Sequence, residues 1–359
     1  MPLFMDFHKL DSDAITEEDM YKAHLRDIAI QNKHGLVYKK YYLNLNHKTA
    51  FCLMEGPNKK ACIESHKEAH GVGACNIIEV SPEHEFIPYM GKGDQNEKDL
   101  ALTLSGEVDS GFRTILLVDF LALTKPSDNI TTEIRDTIEQ KKGNLVKIPN
   151  KKVMASFINA SDAVKCSMEI ALYFEALGGN VPFSIALATG QPVDEHSTDL
   201  FEETKKKVRV MSRLGFELGI CMDSNTELSA IKTNDSSQLD TAGITTIDHA
   251  TYAEMQKLDA VLMKNLNDSS FNADALSKQL GLSKTQAYRK ISALFGIPPK
   301  RLLSELRLLD AAKALTISGK TVSEVAYDSG FNSPTYFTRV FRNRFDILPS
   351  KMNKSGFGQ

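Results

Sequence analysis

Two α+β domains followed by an all-α domain of two helix-turn-helix units is the architecture this 359-residue sequence predicts. Three observations predict it. Strand and helix periodicities alternate as βαββαβ over the first eighty residues, a second mixed pattern begins at Arg113, and from residue 251 the period is helical, punctuated by glycine turns at Gly281 and Gly330. At 42% hydrophobic and 25% charged, the composition is that of an ordinary globular protein with enough chain for two or three cores. No apolar run reaches the roughly eighteen residues a membrane helix needs, and the N-terminal stretch lacks a basic segment ahead of an apolar one. The chain is therefore read as cytoplasmic, with no membrane partner. Five cysteines, odd in number and without a CxxC pair, predict reduced thiols rather than a disulfide framework.

The first domain, residues 1–90, reads as strand (3–8), helix (17–32, capped by Thr16), strand (37–45), strand (50–55), helix (58–70, ended by Gly71) and strand (76–80). That order is ferredoxin-like. Seven of the nine histidines crowd into the first 84 residues: His8, His24, His34, His47, His66, His70 and His84. His66 and His70 stand at i and i+4, so both rings leave one helix face a turn apart, a spacing that lets two imidazoles share a metal. The stretches Phe4–His8, Ala23–Ile28, Phe51–Pro57 and Ser65–Gly71 resemble a family of small ferredoxin-like domains that includes a nickel-binding member. The resemblance implies His8, His24, His66 and His70 as ligands, with Glu55 or Tyr41 nearby. The expected cofactor is a divalent transition metal, nickel or zinc; the alternative is a set of hydrogen-bonded structural histidines.

Residues 91–112, rich in Gly, Asp, Glu, Lys and Pro, read as a linker. The second α+β domain, residues 113–250, reads as strand (114–120), helix (129–142), a hairpin (145–157), helix (160–177), strand (182–190), helix (200–214) and strand (218–222). The stretches Leu117–Thr124, Val153–Val164, Ile185–Val193 and Val208–Leu214 resemble class III nucleotidyl cyclase domains. In that family two aspartates hold two metal ions while an Asn and an Arg support the transition state. Asp119 matches the first aspartate and Arg213 the arginine. The second aspartate is missing, since the hairpin reads Asn150-Lys151-Lys152, and Arg209 replaces the asparagine. A lysine there repels the Mg²⁺ that the reaction needs. The domain is expected to be catalytically dead, kept for pairing or ligand sensing, and the chain is expected not to be an enzyme.

The last domain, residues 251–359, contains the two helix-turn-helix copies. In each, a short helix ends at a glycine able to take positive φ and a polar cap opens a second helix, the geometry that presents a helix to a DNA major groove. Between the copies, Pro298-Pro299 opens an apolar-striped helix closing near Gly319. Such a connector holds two recognition helices about one DNA turn, roughly 34 Å, apart. Leu276, Leu280, Leu282, Ile291 and Phe295, with Val325, Ala326, Phe331, Phe337, Val340 and Phe341, recur at helical spacing and are expected in the core. The polar faces leave Lys284, Thr285, Gln286, Tyr288, Arg289 and Lys290 in the first recognition helix, and Ser333, Thr335, Tyr336, Arg339 and Arg342 in the second, for base edges and phosphates; Gln286 suits an adenine edge. The residues Gly281-Leu282-Ser283, Tyr288-Arg289-Lys290-Ile291, Arg307, Ala311-Ala312, Ser329 to Ser333, Tyr336 to Phe341 and Pro349 resemble the AraC/XylS family of transcription regulators over about residues 255–352. Asp346 departs from the glycine usual there.

Charge supports the division. Residues 251–359 carry sixteen Lys or Arg against nine Asp or Glu, a net +7, which leaves −10 on the rest of a chain whose total is −3. A cationic reader on an acidic body fits a protein that must not touch nucleic acid through its sensor. The expected function is a sequence-specific transcription regulator. It binds double-stranded DNA as a homodimer and is controlled by a metal or small-molecule effector sensed by the first two domains. The alternatives are a nucleotide cyclase fused to a DNA-binding tail and a metal-buffering protein.

Overall fold

The computed structural model describes residues 1–352 except 11, 13, 72, 124–126, 147–151, 179–180, 234–240 and 318. The chain begins with β1 (Leu3–Lys9), α1 (Glu17–His34), β2 (Val37–Asn44), β3 (Thr49–Glu55), α2 (Lys59–His70) and β4 (Asn76–Val80). Local chemistry sets these bounds. Thr16 and Asp19 form a reciprocal capping box at the start of α1, Asn58 caps α2, and Gly35 and Gly71 end the two helices in the left-handed region that favours glycine. The strands form an antiparallel sheet in the order β2-β3-β1-β4, and α1 packs beside α2.

A π-helical turn (Pro82–Phe86) and α3 (Ile87–Met90) lead to β5 (Asp94–Gln95) and β6 (Ala101–Leu102). Here the expected linker is corrected. β5 pairs with β6, Leu100 bridges to Tyr41 of the first sheet, and Leu100, Ala101 and Asp109 are buried, so residues 91–112 are folded onto the first domain. Arg113 locks the segment in place. Its guanidinium, 1% exposed, takes both Asp109 carboxylate oxygens at 2.7 and 2.8 Å and the Met90 carbonyl at 2.8 Å.

The second sheet is built from β7 (Arg113–Phe120), β8 (Asn144–Val146), β9 (Val153–Phe157), β10 (Phe183–Gly190), β11 (Ile220–Asp223) and β12 (Ile244–Ile247), in the order β12-β11-β10-β7-β9-β8. Its helices are α4 (Ser127–Gln140), α5 (Ala160–Ala176), α6 (Glu202–Leu214) and α7 (Ser224–Thr233). All eight residues of β7 are buried, as a strand covered on both faces requires. The tip of the hairpin between β8 and β9, with Asn150 and Lys151, lies outside the described residues.

The last part is helical: α8 (His249–Asn265), α9 (Ala273–Gln279), α10 (Lys284–Phe295), α11 (Pro299–Ile317), α12 (Val322–Asp328) and α13 (Pro334–Phe345), then a 3-10 turn (Pro349–Lys351). α11 divides its apolar residues between two cores. Leu302, Leu303 and Leu306 join Leu276, Ile291 and Phe295 in a cluster continuous with the two sheets. Leu308, Ala311, Ala312 and Leu315 join Val325, Ala326, Phe331, Phe337 and Phe341, together with Leu121 and Leu123 from the second domain. The residues expected in the helical core are buried, except that Leu280, Leu282 and Val340 are half-buried. No described helix is long and apolar enough to cross a membrane. All five cysteines are unpaired, Cys75 exposed and the others buried.

Candidate functional site

The two recognition helices are rigidly started. Ser283 caps α10 by accepting from the Gln286 amide, and the Gln286 side-chain oxygen accepts from the Ser283 amide at 2.9 Å. This capping box uses the oxygen that an adenine edge would need, so Gln286 is first a cap residue. Ser333 likewise caps α13 by accepting from the Tyr336 amide at 3.3 Å. The remaining expected contacts stand on open surface. Thr285, Tyr288 and Arg289 of α10, and Thr335, Tyr336, Arg339 and Arg342 of α13, are exposed, with the Arg339 guanidinium 5.3 Å from the Tyr336 ring centre. Lys284 pairs with Asp274 at 2.6 Å and Lys290 pairs with Glu254, both on the protein surface where such pairs contribute little.

The two copies are tied through the backbone between α8 and α9. Arg307 of α11 donates to the carbonyls of Leu266, Asp268 and Phe271, each at 2.8 Å. Gly330 sits against the same place at φ +80°. Asp346 takes φ +56° at the end of α13, so the turn there is made by a residue type that tolerates the left-handed region.

In the first domain β1 and α2 bring three of the four expected histidines together. The His66 Nε2 atom lies 2.6 Å from the Asp6 carboxylate, His8 Nε2 lies 3.2 Å from the same oxygen, and His70 Nε2 lies 2.9 Å from Asp27. The His8 and His66 ring centres are 5.0 Å apart. Donor atoms of Asp6, His8 and Cys52 lie within 4.8 Å of one another, as do those of Asp27, His66 and His70. His24, the fourth, lies outside these two groups: it is buried against Tyr41 and faces Asp99 at 3.2 Å. Glu55 pairs with Lys39 instead, and the Tyr41 hydroxyl is buried without a partner. Asp6, Asp27 and Cys52 were not anticipated. Asp6 stands two residues before His8 on β1, which puts both on one face of the strand.

Electrostatics bind the cluster tightly. Burial works against charge on His66, but Asp6 and Asp27 outweigh it and push the imidazole up to about 10. Burial likewise opposes the Asp6 charge, and His8 and His66 more than offset it, holding that carboxyl well below the usual range. Yet the 2.6 Å approach lacks hydrogen-bond alignment: the Asp6 Oδ2 atom and both His66 ring nitrogens are buried without a hydrogen-bond partner. The orphaned atoms lie in two adjoining groups, Asp6 with His8 and Cys52 and Asp27 with His66 and His70, whose carboxylate, imidazole and thiol donors are of the kinds that hold a divalent transition ion.

In the second domain Asp119 is neutralised. Its carboxylate accepts from Lys152 and from Lys313 of α11, both at 2.8 Å, and Arg213 pairs with Asp259 of α8 at 3.3 Å. Burial raises the Asp119 carboxyl, but Lys313 and Lys152 prevail and hold it below its ordinary value. Arg209 is exposed.

Residues 276–355 match a helix-turn-helix domain family, and residues 4–80 match the family described as nickel responsive protein SCO4226-like. Histidine kinase P4 of Formosa agariphila is 32% identical over 97 residues, 27% of this chain and 7% of its own length. The transcriptional activator RhaS of Escherichia coli is 33% identical over 90 residues, 24% of this chain and 32% of its own. The chain thus spans less than a third of the length of either curated relative. The crystal structure of SCO4226 from Streptomyces coelicolor is 31% identical, covering 22% of this chain and 94% of that one, with a TM-score of 0.21.

Proposed function

We propose that this chain, which carries an AraC-type helix-turn-helix domain at its C-terminal end and an SCO4226-like domain at its N-terminal end, is a cytoplasmic transcription regulator that reads double-stranded DNA. One observation carries this reading: α10 and α13, each capped and each backed by its own core, turn uncommitted Thr, Tyr and Arg side chains to solvent from opposite ends of α11. A helix pair so held enters successive major grooves, with early residues at base edges and later cations at phosphates. A homodimer would place four such helices on a repeated operator. Selection of bound duplexes from a random pool tests this; a regulator enriches one motif, and a chain that retains duplexes without enriching any contradicts it.

We read the first two domains as ferredoxin-like sensors without enzymatic activity, bounded at residues 1–90 and 113–250. The strand order β2-β3-β1-β4 supports the first assignment. The capture of Asp119 by two lysines supports the absence of cyclase chemistry, because a carboxylate so engaged does not hold Mg²⁺. Asp27 of α1 with His66 and His70 of α2 would hold a nickel or zinc ion, with Asp6, His8 and Cys52 as a second donor group beside it; the ion when bound supplies a charge that draws α1 and α2 together. Titration calorimetry of the full chain with Ni²⁺, Zn²⁺, Co²⁺ and Cu²⁺ is expected to show saturable binding that the double variant His66→Ala, His70→Ala abolishes. Absence of saturable binding by all four ions removes the metal from the account.

A further inference from the structure

A cleft of about 350 Å³ separates the second domain from α11 and belongs to neither the reader surface nor the histidine cluster. One wall is aromatic: the Phe174 and Phe183 rings stack at 4.6 Å between centres, with Phe120 5.6 Å from Phe174. The opposite wall is α11, which contributes Leu306, Leu309, Asp310 and Lys313. Two lining hydroxyls, those of Ser184 and Ser212, are buried and have no hydrogen-bond partner, although both residues are more than nine-tenths buried. An unpaired buried hydroxyl costs on the order of 1–3 kcal/mol, so this cleft has polar capacity that the protein itself leaves unused.

The charges lining it are unevenly satisfied. Each cation is paired with a carboxylate: Lys313 with Asp119 at 2.8 Å, Arg213 with Asp259 at 3.3 Å, and Arg344 with Glu305 at 2.5 Å. Asp310 and Glu175 are exposed and neither makes an ion pair within 4 Å among the described residues, although Lys313 and Arg213 stand within electrostatic reach of Asp310. Half-buried Phe183, spare hydroxyls and carboxylates without an ion pair together select a ligand bearing an aromatic ring and a positive charge, whose ring packs on the open part of Phe183 and whose ammonium meets a carboxylate.

We infer that this cleft binds a small aromatic amine. Its occupancy changes how α11 is held, because that helix also fixes Arg307 between the two helix-turn-helix copies and fills the core of the second. The effect on DNA rests on the regulator reading above; the binding does not.

Isothermal titration of the full chain tests the inference, with tryptamine and phenethylamine as probes and indole-3-acetate and phenylacetate as their charge-reversed counterparts. The amines are expected to bind saturably at one site and the carboxylates not to bind. Asp310→Asn is expected to weaken the amines tenfold or more, and Glu175→Gln severalfold, both without moving the thermal midpoint. No amine binding, equal binding of the carboxylates, or unchanged affinity in Asp310→Asn overturns the inference. Affinity for a selected duplex, measured on the same preparations with and without amine, keeps the two proposals apart. A chain that binds its duplex and ignores amines loses only the cleft; one that takes amines through Asp310 and recognises no duplex loses only the regulator reading.

Discussion

Gly330 has no room for a side chain. A Cβ there would stand 2.6 Å from the Leu266 carbonyl oxygen and 2.8 Å from Arg307 Nε, at a φ of +80° that non-glycine residues rarely adopt. Left-handed strain of about 1–2 kcal/mol adds to a backbone clash that cannot relax without moving the Arg307 clamp. Gly330→Ala is therefore expected to destabilise the chain by about 2–4 kcal/mol, read as a lower denaturant midpoint; an unchanged midpoint contradicts this packing. The requirement was legible as a turn glycine, but its closeness to Arg307 was not, since a 23-residue separation says nothing of contact. Gln286 shows the opposite case. The Ser-x-x-Gln spacing of a capping box is present in the sequence, but base reading calls for the same amide at the start of a helix, so the sequence alone does not separate the two roles. Asp6 and Asp27 become partners of histidine only when β1, α1 and α2 are assembled, which no local pattern shows, and the same assembly sets His24 against Tyr41 and Asp99.

At the scale of elements, the helical end is almost completely legible in the sequence, since caps, glycine turns and apolar periodicity are local signals and agree with one another there. Residues 91–112 are not. Their strands are two residues long, too short for any period to show, and their order comes from Leu100 and Ala101 docking on the first sheet and from the Arg113–Asp109 pair. Breaking a fully buried pair leaves an uncompensated charge inside the protein. Arg113→Ala is expected to cost about 3–5 kcal/mol and to expose the segment to proteolysis between β5 and β7, which limited digestion followed by mass mapping detects. A digestion pattern identical to that of the parent chain speaks against the clamp.

Over the whole molecule, one of the contacts between the acidic body and the cationic reader is a buried carboxylate held by a lysine of α11. Asp119, expected as a remnant of cyclase chemistry, anchors α11 through Lys313, while Leu121 and Leu123 enter the core of the second helix-turn-helix copy. Its carboxyl is lowered in the folded chain, so the contribution of this contact is complete above the unfolded value of about 4 and is lost as pH falls through the lower folded value. Lys313→Met is expected to lose about 1–2 kcal/mol at pH 6–7, with the gap to the parent chain closing below about pH 4. A pH-independent gap assigns the effect to packing instead. The amino-acid order announced a sensor and a reader but not this junction, because neither Asp119 nor Lys313 is unusual in its own segment. The central claim remains that α10 and α13 read one duplex together, and the most direct measurement is the affinity of the double variant Arg289→Ala, Arg339→Ala for an operator selected with the parent chain. At about 1–3 kcal/mol for each lost contact, the account predicts a loss of roughly thirtyfold or more with unchanged folding; an affinity equal to that of the parent contradicts it.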